Sequence, residues 1–147
     1  MKKYIRFIPI AVVVAGILFL TTQNISDNAA ISERFRKLLI ECYERAGLDS
    51  TNAWWNDKLA VRRFGHILEY GVLGIASGIA FVDSHRWGFF KAVVLCLLIS
   101  VLDQTVKIFV PVRHFDIVDI VYDLIGAVVG ILAVTAVKMM IEGIKRS

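Results

Sequence analysis

Arg62, Arg63, His66 and Glu69 stand close together, and Arg62, His66 and Glu69 recur at i+4 and i+3 steps, the spacing that lines side chains along one helix face. Further on come Asp103, Gln104 and Lys107, then Arg113 and His114, then Asp116, Asp119 and Asp123, again at i+3 and i+4. Guanidinium groups present rigid forks of N–H donors that fit phosphate or carboxylate. A histidine among carboxyl groups is equipped for proton transfer. The chain therefore holds the ingredients of an anion site oriented by acids. Metal chemistry is not indicated: Cys42 and Cys96 lack metal-type spacing, and one lies in a polar segment and the other in an apolar run, which also argues against a disulfide. No Ser or Cys joins the cluster as a nucleophile, so no catalytic residue is assigned and binding is favoured over catalysis.

Hydrophobic residues make up 57% of the 147 residues, above the usual share for a soluble domain. They gather in four runs, at about 4–20, 64–82, 89–110 and 117–137, with the charges between them. At 1.5 Å rise per residue, each is about long enough for a bilayer core of roughly 30 Å. The first run reads as a retained helix, because no small-residue cleavage site follows it. Residues 31–46 repeat Ile31, Phe35, Leu38, Leu39, Cys42 and Ala46 at helical spacing, with charges on the other faces. That segment is an amphipathic helix too polar to span, with Ser32 as its expected N-cap, Gly47 as its stop, and Trp54 and Trp55 as interfacial anchors. The expected fold is an all-α membrane protein: one domain over residues 1–147, with four transmembrane helices and an extracytoplasmic amphipathic helix.

These elements position the polar residues. The start of the second run, the end of the third and the start of the fourth must share one membrane face. Glu69, Asp103 and Asp123 then lie roughly 8–10 Å inside the helix ends. An ionised side chain near mid-bilayer costs about 2.5–3.5 kcal/mol on insertion scales, so the acids are expected to face inward and meet partners. Asp103 and Lys107, one turn apart, can pair. Gly74-x-x-x-Gly78 and Gly126-x-x-x-Gly130 would let helices approach closely, and the second pair continues the stripe of Asp116, Asp119 and Asp123.

Two blocks of this sequence resemble the VanZ-like membrane proteins. Arg62-Arg63-Phe64-Gly65-His66-Ile67-Leu68-Glu69-Tyr70, followed by Leu73-Gly74, is similar to the family's basic-x-x-His-Phe-x-Glu-Tyr block, with Ile67 in place of Phe. Asp103, then Pro111-Val112-Arg113, then Asp119, Asp123, Gly126 and Gly130, is similar to the second block. Gln104, Val106, Lys107 and Val112 depart from the family pattern; they remove an acid and add a cation, which argues further against a divalent metal. The resemblance implies a bacterial cell-envelope protein linked to lowered susceptibility to teicoplanin, a glycopeptide with a fatty tail.

The expected function is engagement of an amphiphile at the outer leaflet, either a lipid-linked cell-wall intermediate or a lipid-tailed glycopeptide. Arg62, Arg63, His66, Glu69, Tyr70, Asp103, Arg113, Asp119 and Asp123 are the candidate ligand-binding residues. The alternatives are a membrane enzyme acting on a polyprenyl-phosphate or lipid headgroup, and a small proton-coupled carrier. Four helices without an internal repeat argue against the carrier. No cofactor is expected, and the partners are membrane lipids, not nucleic acid: the +4 net charge comes from basic residues flanking apolar runs.

Lys2, Lys3 and Arg6 before the first run, and Lys138, Lys145 and Arg146 after the last, place both termini in the cytoplasm. Lys58, Arg62 and Arg63 weigh the other way. In a background lacking Cys42 and Cys96, a cysteine at position 114 should react with an impermeant thiol reagent on intact cells and one at position 84 should not. Labelling at 84 but not at 114 would invert the orientation.

Overall fold

The computed structural model describes residues 2–22, 25–47, 57–82, 86–111 and 113–146. Trp54 and Trp55, the Asp83-Ser84-His85 part of the turn between the second and third runs, and Val112 lie outside the described residues. The described chain is helical: α1 (Lys2–Ile5), α2 (Ile8–Thr22), α3 (Ile25–Arg45), α4 (Lys58–Phe81), α5 (Arg86–Ile108) and α6 (Ile117–Arg146). Three segments are long and apolar enough to cross a membrane, Leu59–Phe81, Trp87–Ile108 and Ile117–Lys145, and Ile8–Thr22 is a shorter apolar helix.

Local chemistry accounts for where these helices begin and end. The first run is divided at Arg6 and Phe7 because Pro9 follows. In the first turn of α2 its missing N–H removes no hydrogen bond, but a continuous helix would drive its ring into the Ile5 carbonyl. Helix α3 begins earlier than the amphipathic pattern suggested, at Ile25. Ser32 is therefore inside it and not its N-cap. It ends before Gly47, whose φ of 72° is the left-handed conformation that stops helices. Helix α4 starts at Lys58, ahead of its apolar run, because the Asp57 carboxylate accepts the Leu59 N–H at 2.9 Å. Asp116 does the same for α6 through the Val118 N–H, also at 2.9 Å.

Antiparallel packing sets the bundle. The Phe7 ring near the start of α2 meets Phe81 at the end of α4, edge to face at 5.4 Å. At the other end of α2, Thr21 hydrogen-bonds Asp103 near the end of α5. So α2 runs against α4 and alongside α5. The polar ends of α2, α4, α5 and α6 meet at one end of the bundle. Helix α3 leaves α2 and returns toward α4 at that same end, where Phe35 stacks on Phe64 at 6.1 Å. At the far end, the Lys138 ammonium of α6 reaches the carbonyl oxygens of Gly78, Ile79 and Val82, placing a positive charge at the C-terminal end of α4, where the helix dipole favours it.

The core is built from Tyr70, Leu73, Ala80, Ala92, Cys96, Ala127 and Ile131, all fully buried. Outward faces of the long helices are apolar as well: Leu68, Val72, Ile75 and Ile79 on α4, and Val121, Ile125, Val129 and Leu132 on α6, are exposed. Apolar faces on both sides suit a lipid solvent, where association depends on close packing instead of the hydrophobic effect. Helices α4 and α6 meet backbone to backbone. A Cβ at Gly74 would collide with the Ala127 carbonyl, one at Gly126 with the Ile67 carbonyl, and one at Gly130 with the Gly71 carbonyl. Gly78 faces the Val134 side chain, at 3.1 Å from a Cβ placed there.

A single methyl should therefore separate these helices. Gly74→Ala, Gly126→Ala and Gly130→Ala should each lower stability by about 1–3 kcal/mol, the cost of overpacking, and leucine should cost more. Gly16→Ala and Gly143→Ala, which meet nothing within 4 Å, should be neutral or slightly stabilising. Thermal unfolding in detergent measures this, and equal behaviour of the two sets would refute the close α4–α6 contact.

Candidate functional site

Asp119, one turn into α6, is the junction of the polar cluster. Its Oδ2 atom is ion-paired with the Arg62 guanidinium of α4, lies 3.3 Å from His66 Nε2, and lies 3.5 Å from both Lys107 Nζ and Gln104 Nε2 of α5. One turn deeper, Asp123 Oδ1 lies 2.9 Å from His66 Nδ1, and its Oδ2 accepts a hydrogen bond from Ser100 Oγ at 2.6 Å. On α5, Asp103 pairs with Lys107 at 3.0 Å and accepts from Thr21 Oγ1. Thr21 shares its hydroxyl with the Ile17 carbonyl at 2.9 Å. Four helices thus enter one network. Asp103, Asp119 and Asp123 are buried, as are Gln104 and Lys107.

His66 has a carboxylate oxygen at each ring nitrogen. Both nitrogens can donate only in the imidazolium form, because a neutral ring must leave one nitrogen as an acceptor. In that form the network sets Arg62, His66 and Lys107 against Asp103, Asp119 and Asp123. Ion pairs of this kind offset the desolvation of their members without adding much net stability, but loss of one member strands the others.

Other candidate residues fall outside that network. The Arg63 guanidinium lies over the Tyr122 ring, 5.3 Å from its centroid, a cation–π contact. Glu69 is partly buried with His66, Asp103, Asp123 and Lys107 as its charged neighbours. Among the described residues it has neither a hydrogen bond nor an ion pair. Tyr70 is 0% exposed; among the described residues its hydroxyl meets no hydrogen-bond partner at full bonding geometry, and Ser100 is its hydroxyl neighbour. Arg113, in the segment joining α5 to α6, also lacks an ion pair among the described residues. Burial lowers its pKa from the ordinary value and the nearby Arg62 adds to the fall, while Asp103 and Glu69 oppose it.

The structure adds residues that spacing alone did not supply. Thr21 lies at the end of an apolar run and carries no charge, so nothing in the sequence tied it to Asp103. Ser100 corrects the expectation that the cluster holds no Ser: it precedes Asp103 by three positions on α5 and so shares its face. Yet the arrangement is Ser100–Asp123–His66, with the carboxylate in the middle. A nucleophile needs the base nitrogen against its own oxygen, and here both His66 nitrogens face acids. Among the described residues no group of three His, Cys, Asp or Glu side chains is placed to hold a metal ion.

The network separates residues that the sequence alone left equivalent. Asp119→Asn leaves Arg62, His66 and Lys107 around one lost charge and should cost about 3–5 kcal/mol, as for a buried pair broken on one side. Arg62 is 47% exposed against 2% for Asp119, so Arg62→Gln should cost only about 0–1 kcal/mol. Denaturant unfolding in mixed micelles reads both values. Similar costs would mean that Asp119 is not the junction.

No curated protein matches the chain, and no solved structure does. A family model described as VanZ/LLP1 matches residues 7–138, a stretch that takes in α2 to α5 and most of α6, with every residue of the buried network. The chain is a VanZ-like membrane protein and belongs to the VanZ/LLP1 family.

Proposed function

We propose that this protein is a cell-envelope factor that lowers susceptibility to lipid-tailed glycopeptides by engaging an amphiphile at the outer leaflet. In this reading α2, α4, α5 and α6 all cross the bacterial membrane, both termini are cytoplasmic, and α3 lies on the outer surface. The antiparallel run of α2 against α4 supports the fourth crossing. The apolar outer faces of α4 and α6 support a lipid environment. The observation that carries the reading is the polar end of the bundle, where Arg113 and Glu69, among the described residues, form no ion pair beside the network that joins Arg62, His66 and Lys107 to the aspartates. Groups of this kind inside or beside a bilayer are costly unless used, and they sit where the head of a membrane-partitioned molecule would arrive.

Catalysis on a lipid headgroup is less well supported, because His66 is engaged at both nitrogens and Ser100 is bound to Asp123. Glu69 is the better probe of function than Asp119. Among the described residues it has no ion-pair partner to strand, so Glu69→Gln should leave stability near wild type. Expressed in a sensitive Gram-positive host, the wild-type chain should raise survival on a lipid-tailed glycopeptide and not on a tail-less one. Glu69→Gln and Arg113→Gln should each abolish that protection at unchanged protein levels. Full protection by both variants would make the polar end purely structural, and equal protection against both drugs would remove membrane partitioning from the account.

A further inference from the structure

Lys107, in the last turn of α5, is only 5% exposed. Its Nζ atom lies 3.0 Å from Asp103 Oδ2, one turn back on the same helix, and 3.5 Å from Asp119 Oδ2 on α6. Both acids are buried. Among the described residues the ammonium nitrogen nevertheless makes no hydrogen bond at full bonding geometry. It is held between two carboxylates by charge, as an untethered cation would be. Those carboxylates do not depend on it for their positions. Thr21 of α2 holds Asp103 through the other oxygen, and Arg62 and His66 of α4 hold Asp119. The walls of the seat are therefore built by partners other than its occupant.

We propose that Asp103 and Asp119 form a binding site for a primary ammonium ion, which this chain fills with its own Lys107 head group. Charge, distance and shape set the ligand class. With His66 as imidazolium, Arg62, His66 and Lys107 balance Asp103, Asp119 and Asp123. Without Lys107 one positive charge is missing, which a monovalent ion restores and a divalent ion exceeds. A nitrogen at 3.0 Å from Asp103 is at N–H···O length, beyond the roughly 2.0–2.6 Å of hard metal–oxygen bonds. The stem of Lys107 is buried with its head. Cutting it back to alanine removes Cγ, Cδ, Cε and Nζ, the heavy atoms of propylammonium. The tether gives the head group a high effective concentration at its seat, so the wild-type protein needs no cation from solution there.

Thermal unfolding of the full-length protein in detergent, at one ionic strength kept with tetramethylammonium chloride, tests this. Lys107→Ala should lower the midpoint by about 5 °C or more, since it strands buried carboxylates. Propylammonium should restore most of that loss saturably, and methylammonium and butylammonium should restore less. Tetramethylammonium has no N–H and should restore nothing. The wild type should not respond to propylammonium. Lys107→Met, which keeps the stem and fills the slot, should be destabilised without responding. Asp103→Asn placed on Lys107→Ala should erase the response. Should Lys107→Ala not be recovered folded, its monodisperse yield after extraction should rise when propylammonium is present throughout. The site is overturned if Lys107→Ala is as stable as wild type, or if no amine raises its midpoint or yield. It is equally overturned if tetramethylammonium, the wild type or Lys107→Met shows the same effect, because the amine would then act by screening or elsewhere.

Discussion

A charge in a lipid environment must find its counter-charge inside the protein, and in this chain that requirement falls on the Asp119 carboxylate. Arg62 and His66 come to it from α4, and Lys107 and Gln104 from α5. Because it accepts from two helices while rooted in a third, its position fixes their rotation and their axial register together. Asp123 and Asp103 extend the same condition one turn deeper and across to α2. Such a network discriminates strongly between the native arrangement and any slipped one, since a slip of one turn would leave several ionised groups facing lipid.

That register is attainable only because α4 and α6 touch through their backbones. Gly74, Gly126 and Gly130 remove the side chains that would hold the two axes apart, and the shortened separation is what brings Arg62 and His66, with limited reach, to Asp119 and Asp123. Packing and electrostatics therefore support each other along one seam. Glycines occupy its middle, acids its polar end, and at the opposite end Lys138 closes the last turn of α4.

Much of this was legible in the sequence because periodicity and charge placement act over short range. The three long helices, the amphipathic segment, the stop at Gly47 and the shared level of Glu69, Asp103 and Asp123 all follow from local spacing. What spacing does not carry is which neighbour each group chooses. Arg62, Arg63 and Arg113 look alike as phosphate donors, yet Arg62 is taken by Asp119, Arg63 lies on Tyr122, and Arg113 forms no ion pair among the described residues. Thr21, just past the first apolar run, and Ser100, inside the third, are uncharged and become visible as ligands of Asp103 and Asp123 only once helices separated by many residues are in place. Helix starts were also set by details outside the apolar runs, as Asp57 shows for α4.

The brevity of α2 has a consequence for the surrounding lipid. Its 15 residues extend about 22 Å, against a hydrocarbon thickness of roughly 30 Å. Thr21, at the end of this short helix, is fixed to Asp103, so α2 cannot slide outward to reach the surface. In the proposed reading, where α2 also crosses the membrane, that crossing is shorter than its solvent, and the leaflet beside it must dimple to meet it. The dimple would form against the side of the bundle where α2 adjoins α4 and α5. In that reading the headgroups beside α2 would descend toward the level of the buried acids, through the deformation of the membrane itself.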